Sequence, residues 1–401
     1  MDVETFRELL RDPGLAAVGR AVAALDTGAE QLAVAAGVRR DFPGLAPAIA
    51  SAAVTQATLR RRARAKFGAA ADELWFTREG LEQSTGTPIA NHRARRFADL
   101  TGRLGRPARV ADLCCGIGGD LRAFAAAGCE VTGYDADPVA AAVAAANTRG
   151  TTASVECVDV ETLDLSDLDA AFIDPARRSD GRRTFDVAAY KPGWPFVLSA
   201  LAQLPAAAAK IAPGIAHDLV PPGIEAEWIS VGGALKEAVL WSGGLTDGRL
   251  RRRATLLPAG ATLTSTTDAD VPPPAGHLHR YLYEPDDAVV RAHLIGDLAR
   301  LVDGVLLDAS TAYITSDALV ATPFAQVFEV DDAMPFSLKR LRAALRERQV
   351  GAATIMKRGS AIDVEQLRRD LRLSGDAEAV VVLALIGGRH HAVIAHAVAR
   401  P

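Results

Sequence analysis

Aromatic residues are scarce in this chain, at 5% of 401 residues, and there are only three methionines. Alanine-rich segments stand where large side chains would otherwise be, so the helices are expected to pack through small residues. Cysteines number four, Cys114, Cys115, Cys129 and Cys157, all in one short window. No pair has C-x-x-C spacing, and the neighbours Cys114 and Cys115 are poorly placed to share a disulfide or a zinc. This predicts buried, reduced thiols and a cytoplasmic location. Long apolar runs are also missing, since charge or proline interrupts each one, so no membrane span is expected. The opening MDVETFRELLRD lacks an apolar signal core. Nor is there an excess of positive charge: 45 Lys and Arg face 49 Asp and Glu, a formal net charge of -4. Any nucleic-acid surface must therefore be a local patch.

What is present suits a globular protein of two or three domains, with 49% hydrophobic and 23% charged residues. Residues 1–90 carry Leu, Val and Ala at helical spacing and predict an N-terminal helical domain. From about residue 108 short strands and helices alternate, which indicates βαβ units and a doubly wound parallel sheet over 91–270. GATLTSTTDADVPPPAGH (260–277) is polar and proline-rich and reads as a boundary. Residues 276–401 mix helices, such as DDAVVRAHLIGDLARLV, with strands, and suggest a small α+β domain.

VADLCCGIGGDL (110–121) places a glycine turn between a buried strand and a helix, with Asp112 near the strand end and Gly116 and Gly118 in the turn. Glycine lets a backbone approach a ligand closely, and the helix start offers free N–H groups. Such a turn at the strand ends of an α/β sheet marks a nucleotide or adenosyl site. A dinucleotide fingerprint would need glycine at 121, where Leu121 stands, and no Gly-Lys-Ser/Thr follows for a P-loop. D-x-x-x-G-x-G with an acid ending each following strand fits better. Asp135, 19 residues after Gly116, is placed for both ribose hydroxyls, Asp159 for an adenine amino group, and Asp174 ends a fourth strand in FIDP.

On these residues the chain resembles class I S-adenosylmethionine-dependent methyltransferases over roughly residues 105–260. The resemblance implies S-adenosylmethionine as cofactor, bound by Asp112, Gly116, Gly118, Asp135 and Asp159, with Asp174 and Pro175 at the catalytic edge. WFTREGLEQSTGTPIANHRARRF, DLCCGIGGDL, DPARR, SVGGALKEAVLWSG and YLYEPDDAVVRA together are similar to a bacterial group with a C-terminal THUMP-like domain. THUMP domains accompany RNA-modifying enzymes, chiefly of tRNA, so this resemblance implies an RNA substrate.

Charge is compatible with that implication. Residues 333–401 hold twelve Lys and Arg against six Asp and Glu, whereas 276–332 hold three against ten. Helical spacing puts Lys339, Arg342 and Arg346 on one face. Further basic clusters are LRRRARAKF (59–67), HRARRF (92–97) and GRLRRR (248–253), each of which is alternatively a solvated helix face.

The acceptor chemistry is less determined. Asp174-Pro175 fits the acid-proline start of an exocyclic-amine methylation motif, but Ala176 and Arg177 depart from its proline and aromatic ring. Trp194 is the candidate for the missing stacking surface, and packing against the sheet is the alternative. Arg177 and Arg178 are candidates for holding phosphate. Pyrimidine C5 methylation needs a cysteine near or after this motif, and none follows Cys157. His391 and His396 would face opposite sides of one strand, so no metal site is expected. Gln83, Thr85 and Pro88, ahead of the first strand, are candidates for a lid. The expected function is RNA methylation. The alternatives are a methyltransferase for a small molecule or protein, and a non-catalytic RNA-binding module with a vestigial cofactor fold. A protein partner is left undetermined.

Overall fold

In the computed structural model the described residues are 1–176, 178–179, 182–183, 187–267, 271–358 and 362–398. They form two compact units, Met1–Ile224 with Val239–Gly248, and Glu225–Ala238 with Arg249–Pro401.

The first unit opens with α1 (Val3–Leu9), α2 (Gly14–Asp26), α3 (Gln31–Asp41) and α4 (Pro47–Phe67), followed by α5 (Arg78–Gln83) and α6 (Thr87–Leu104). Sequence capping sets these boundaries: Asp2 and Thr77 accept N–H bonds at the starts of α1 and α5, and Gly105 ends α6 in the left-handed region. The apolar stripes of α1–α4 share one core with Trp75, Phe76 and Ile117. Much of cluster 59–67 is spent here. Arg60 donates to Leu74 O and lies over the Trp75 ring, Arg61 reaches Leu25 O, and Arg64 pairs with Asp26 and Asp72.

Next come β1 (Arg109–Leu113), α7 (Gly119–Ala126), β2 (Glu130–Asp135), α8 (Pro138–Asn147), β3 (Ser154–Cys157) and β4 (Ala170–Ile173). The two-residue strands β5 (Arg178–Ser179) and β6 (Arg182–Arg183) pair antiparallel, before α9 (Trp194–Gln203) and β7 (Ala206–Ile211). The ladders β3–β2, β2–β1, β1–β4 and β4–β7 are all parallel. Every residue of β7 is buried, as expected of a central parallel strand. Three aromatics cluster where α6, α7 and β4 meet: Phe97 packs on Phe124, and Phe124 on Phe172.

The second unit includes β8 (Glu225–Val231), and β9 (Ala234–Gly243) runs across the division between the units. β10 (Arg252–Leu257) pairs parallel with β8 and antiparallel with β11 (Ala261–Ser265). β11 lies inside the stretch read from sequence as a polar boundary. The turn at Gly260 (φ +73°) brings alternating Thr262, Leu263 and Thr264 alongside β10, and the ladder outweighs their polarity. Then follow β12 (Tyr281–Pro285), α10 (Asp287–Arg291) and α11 (Ile295–Leu301). Sequence periodicity reads the last two as one helix. The break falls at His293 (φ +53°), whose carbonyl accepts from Arg252 at 2.6 Å. This bond also gives cluster 248–253 a structural use.

The unit ends with β13 (Val305–Leu306), β14 (Ile314–Ser316), β15 (Ala325–Pro335), α12 (Leu338–Glu347), β16 (Val350–Lys357), α13 (Val364–Leu371), β17 (Ala377–Ile386) and β18 (Arg389–Ala397). These strands and β12 form a seven-stranded sheet ordered β13–β14–β12–β15–β18–β17–β16, with only β16 and β17 parallel. Leu341 and Leu345 of α12 and Leu367 and Leu371 of α13 bury against Val381, Leu383 and Ile394. The architecture is thus a doubly wound, mostly parallel sheet with an N-terminal helical region, and a C-terminal α+β part.

Candidate active site

Strand order reverses at β1, with β2 and β3 on one side and β4 and β7 on the other. Such a reversal leaves a crevice at the carboxyl ends of the strands. The sequence candidates collect along this edge. After Leu113 the backbone turns through Cys114, Gly116 and Gly118, all with positive φ, into α7. A Cβ built on Gly116 would meet nothing within 4 Å, so the turn faces open space there. One built on Gly118 would abut Ala144 of α8 at 3.5 Å.

Asp112 is buried, and neither carboxylate oxygen has a hydrogen-bond partner among the described residues. Burial pushes its carboxyl well above the usual range, and the charges of Asp120 and Asp174 add to the shift. Asp135, at the end of β2, accepts from Gly116 N and Asp137 N, each at 2.9 Å. Burial raises its carboxyl, these two bonds lower it, and the charges of Asp137 and Asp174 raise it again, which leaves it above the usual value. Asp159 is exposed and caps the short turn after β3, accepting from Glu161 N at 3.1 Å. Glu161 in turn accepts from Gly193 N at 2.9 Å, which fixes the approach to Trp194.

Asp174 follows β4, its N–H bonded to Leu113 O at 3.1 Å, so its backbone extends the β1–β4 ladder. Pro175 is buried beside it. Ala176 exchanges two backbone bonds with Lys191, closing the base of the following excursion. Arg177, and the side chains of Arg178, Arg182 and Arg183, lie outside the described residues. Trp194 is half-buried at the start of α9, with its ring edge-on to Tyr190 at 6.1 Å.

Sequence reading missed several members of the site. Lys210 of β7 is buried, and its Nζ lies 2.7 Å from Asp174 Oδ2, 3.3 Å from Gln83 O and 3.4 Å from Thr85 Oγ1. A lysine inside the apolar run AAAAKIA was the available signal. Arg93 of α6, fully buried, pairs with Asp120 in the first turn of α7 and lies over the Phe172 ring at 4.2 Å. This pairing gives cluster 92–97 a structural use as well. Asn147 accepts from Trp75 N at 2.7 Å and donates to Trp75 O and Ile117 O. Nothing in its local sequence marks it.

Comparison with known proteins agrees with this geometry. Residues 110–176 match the family model of a methyltransferase domain, 325–397 that of a THUMP domain-like module, and 2–63 a domain of unknown function. The crystal structure of a proposed methyltransferase from Porphyromonas gingivalis W83 superposes with a TM-score of 0.72, covering 89% of this chain and 92% of that one at 20% identity. That likeness shows the fold. Two relatives in Mycobacterium tuberculosis, from strains CDC 1551 and H37Rv, are uncharacterised S-adenosylmethionine-dependent methyltransferases. Each is 37% identical over 354 residues, covering 86% of this chain and 95% of the relative. The chain belongs to the S-adenosylmethionine-dependent methyltransferases.

Proposed function

We propose that this methyltransferase modifies RNA, with Asp174 and Pro175 presenting the acceptor. The donor supplies a methyl group already activated on a sulfonium, so the protein's task is alignment and, where needed, proton removal. The chain's groups fit such a donor. Asp112 has unpartnered oxygens beneath the turn, Gly116 faces open space, and each Asp135 oxygen keeps a lone pair beyond its one backbone bond. In this reading Asp112, Gly116, Gly118, Asp135 and Asp159 hold the donor, and Asp135 accepts the ribose hydroxyls. Asp174 orients or deprotonates the acceptor, Trp194 stacks on it, and Arg177 and Arg178 take phosphate. Residues 1–90 form the helical domain, 91–270 carry the chemistry and 276–401 engage RNA.

The observation that carries the RNA reading is where basic residues remain uncommitted. Clusters 59–67, 92–97 and 248–253 are spent largely on internal contacts. On α12, Lys339, Arg340 and Arg346 are exposed and have no side-chain partner among the described residues. Arg342 is the exception on that face, since it donates to Asp370 O. Exposed cations on one helix are what a phosphate backbone requires.

Incubation with methyl-labelled donor and total RNA from a strain lacking the protein tests this. Label is expected in RNA. Label only in protein or small metabolites would replace the acceptor class. Absence of calorimetric heat with S-adenosylmethionine would favour a non-catalytic binding module.

A further inference from the structure

Lys210 is costly where it stands. Its neighbours along β7, Ala206 to Ala209 and Ile211, are apolar and buried, and its own side chain is 5% exposed. A buried ammonium persists only when acceptors surround it. Of its three acceptors, one is Asp174 Oδ2, and the other two, Gln83 O and Thr85 Oγ1, come from the end of α5 and the turn into α6. The second oxygen of Asp174 has no partner among the described residues, and the carboxyl side chain is 22% exposed.

Residues 75–86, which include α5, form a strap tied at several points. Asn147 holds Trp75, and Gln56 holds Phe76 through both of its backbone polar groups. A Cβ on Gly80 would come within 2.3 Å of Ile117 in the glycine turn, so strap and turn are in direct contact. Lys66 donates to Leu81 O at 2.8 Å, and Thr85 O lies 3.3 Å from where a Cβ on Gly119 would be. Residues 75–86 thus run along the donor turn and end at Lys210.

We infer that Lys210 is a positioning residue that couples strap closure to the orientation of Asp174. By taking one carboxylate oxygen it leaves the other for the acceptor. By also holding Gln83 and Thr85 it makes this orientation complete only when the strap is down. Lifting the strap, to admit or release donor, removes two of the three acceptors and frees the Lys210–Asp174 pair to shift. This inference rests on the reading of Asp174 as the residue facing the acceptor.

The test uses the full chain with Lys210→Met, Lys210→Arg and Thr85→Val. Hydrogen exchange of residues 77–86, affinity for S-adenosylhomocysteine and kcat against KM are measured for each. Thr85→Val keeps the ion pair and is expected to speed strap exchange about fivefold, the worth of one hydrogen bond. Lys210→Met is expected to speed it further and to lower kcat about a hundredfold with a small change in KM. Lys210→Arg recovers part of kcat. Strap exchange that stays at the wild-type rate in both Thr85→Val and Lys210→Met overturns the coupling. So does a Lys210→Met loss carried by melting temperature alone. If Lys210→Met does not fold, Thr85→Val decides. If the wild type methylates no RNA, the proposed function fails, while exchange and S-adenosylhomocysteine affinity still decide the coupling.

Discussion

Asp112 carries the sharpest expectation at the residue scale, because it is buried with both oxygens unpartnered. Its folded-state carboxyl lies well above the usual value. The folded protein therefore holds this proton more tightly than the unfolded chain. Asp112 then favours folding fully only below about 3.9, the ordinary aspartate value, and that contribution is lost as pH rises toward the native value. Asp112→Asn, which cannot ionise, should match the wild type near pH 3 and be the more stable of the two at neutral pH. Thermal melts of ligand-free protein across this range check it, and donor affinity should fall in the same variant. Asp174→Ala separates binding from chemistry. Donor affinity measured by calorimetry should change little, while kcat falls about 10²–10⁴-fold, the usual worth of a positioned acid or base. The melting temperature should also drop, since Lys210 loses its carboxylate.

Elements were legible where periodicity and capping agreed. The helices of residues 1–90, the β1-turn-α7 unit and the strands β15 to β18 follow from apolar spacing, Asp and Thr caps, and glycine turns. Others were not, among them α9, β12, β13 and β14, for which no helix or strand was read, and two more have an identifiable cause. β11 is polar and exists because β10 offers it a ladder, and the α10–α11 break depends on Arg252 reaching a carbonyl 41 residues away. Ties between elements were likewise invisible locally. Asn147→Ala removes three buried hydrogen bonds linking α8 to Trp75 and the glycine turn. Orphaning those groups should cost about 3 kcal/mol by denaturant titration. Gly80→Ala forces a shift against Ile117 or Thr77 and should weaken donor binding more than it lowers stability.

At the scale of the molecule, charge matters by placement. A net charge of -4 excludes a general affinity for polyanions, so the proposed RNA binding would rest on local surfaces such as α12. Replacing Lys339, Arg340 and Arg346 together with Glu should weaken RNA binding and flatten its salt dependence. The expected change in slope is about 0.7 per lost phosphate contact for single strands. Filter binding between 50 and 200 mM salt, roughly the range in which such contacts dominate, checks it. An unchanged slope would move the RNA contact away from α12. Among the described residues, no helix is long and apolar enough to cross a membrane.

By itself the sequence determined the glycine turn, the acids at four strand ends and the alternation of strand and helix from β1 to β4. Each of these depends on neighbours in the chain: periodicity, caps, and glycine where φ must be positive. Tertiary structure decided which charges are spent and which are left. Arg93 looks like any basic residue in sequence, and the apolar run around Lys210 marks only that it is unusual, yet both are buried against acids from other elements. Low polarity around them makes those pairings obligatory. Such pairing arises only when distant segments pack, so no local pattern could name the partner.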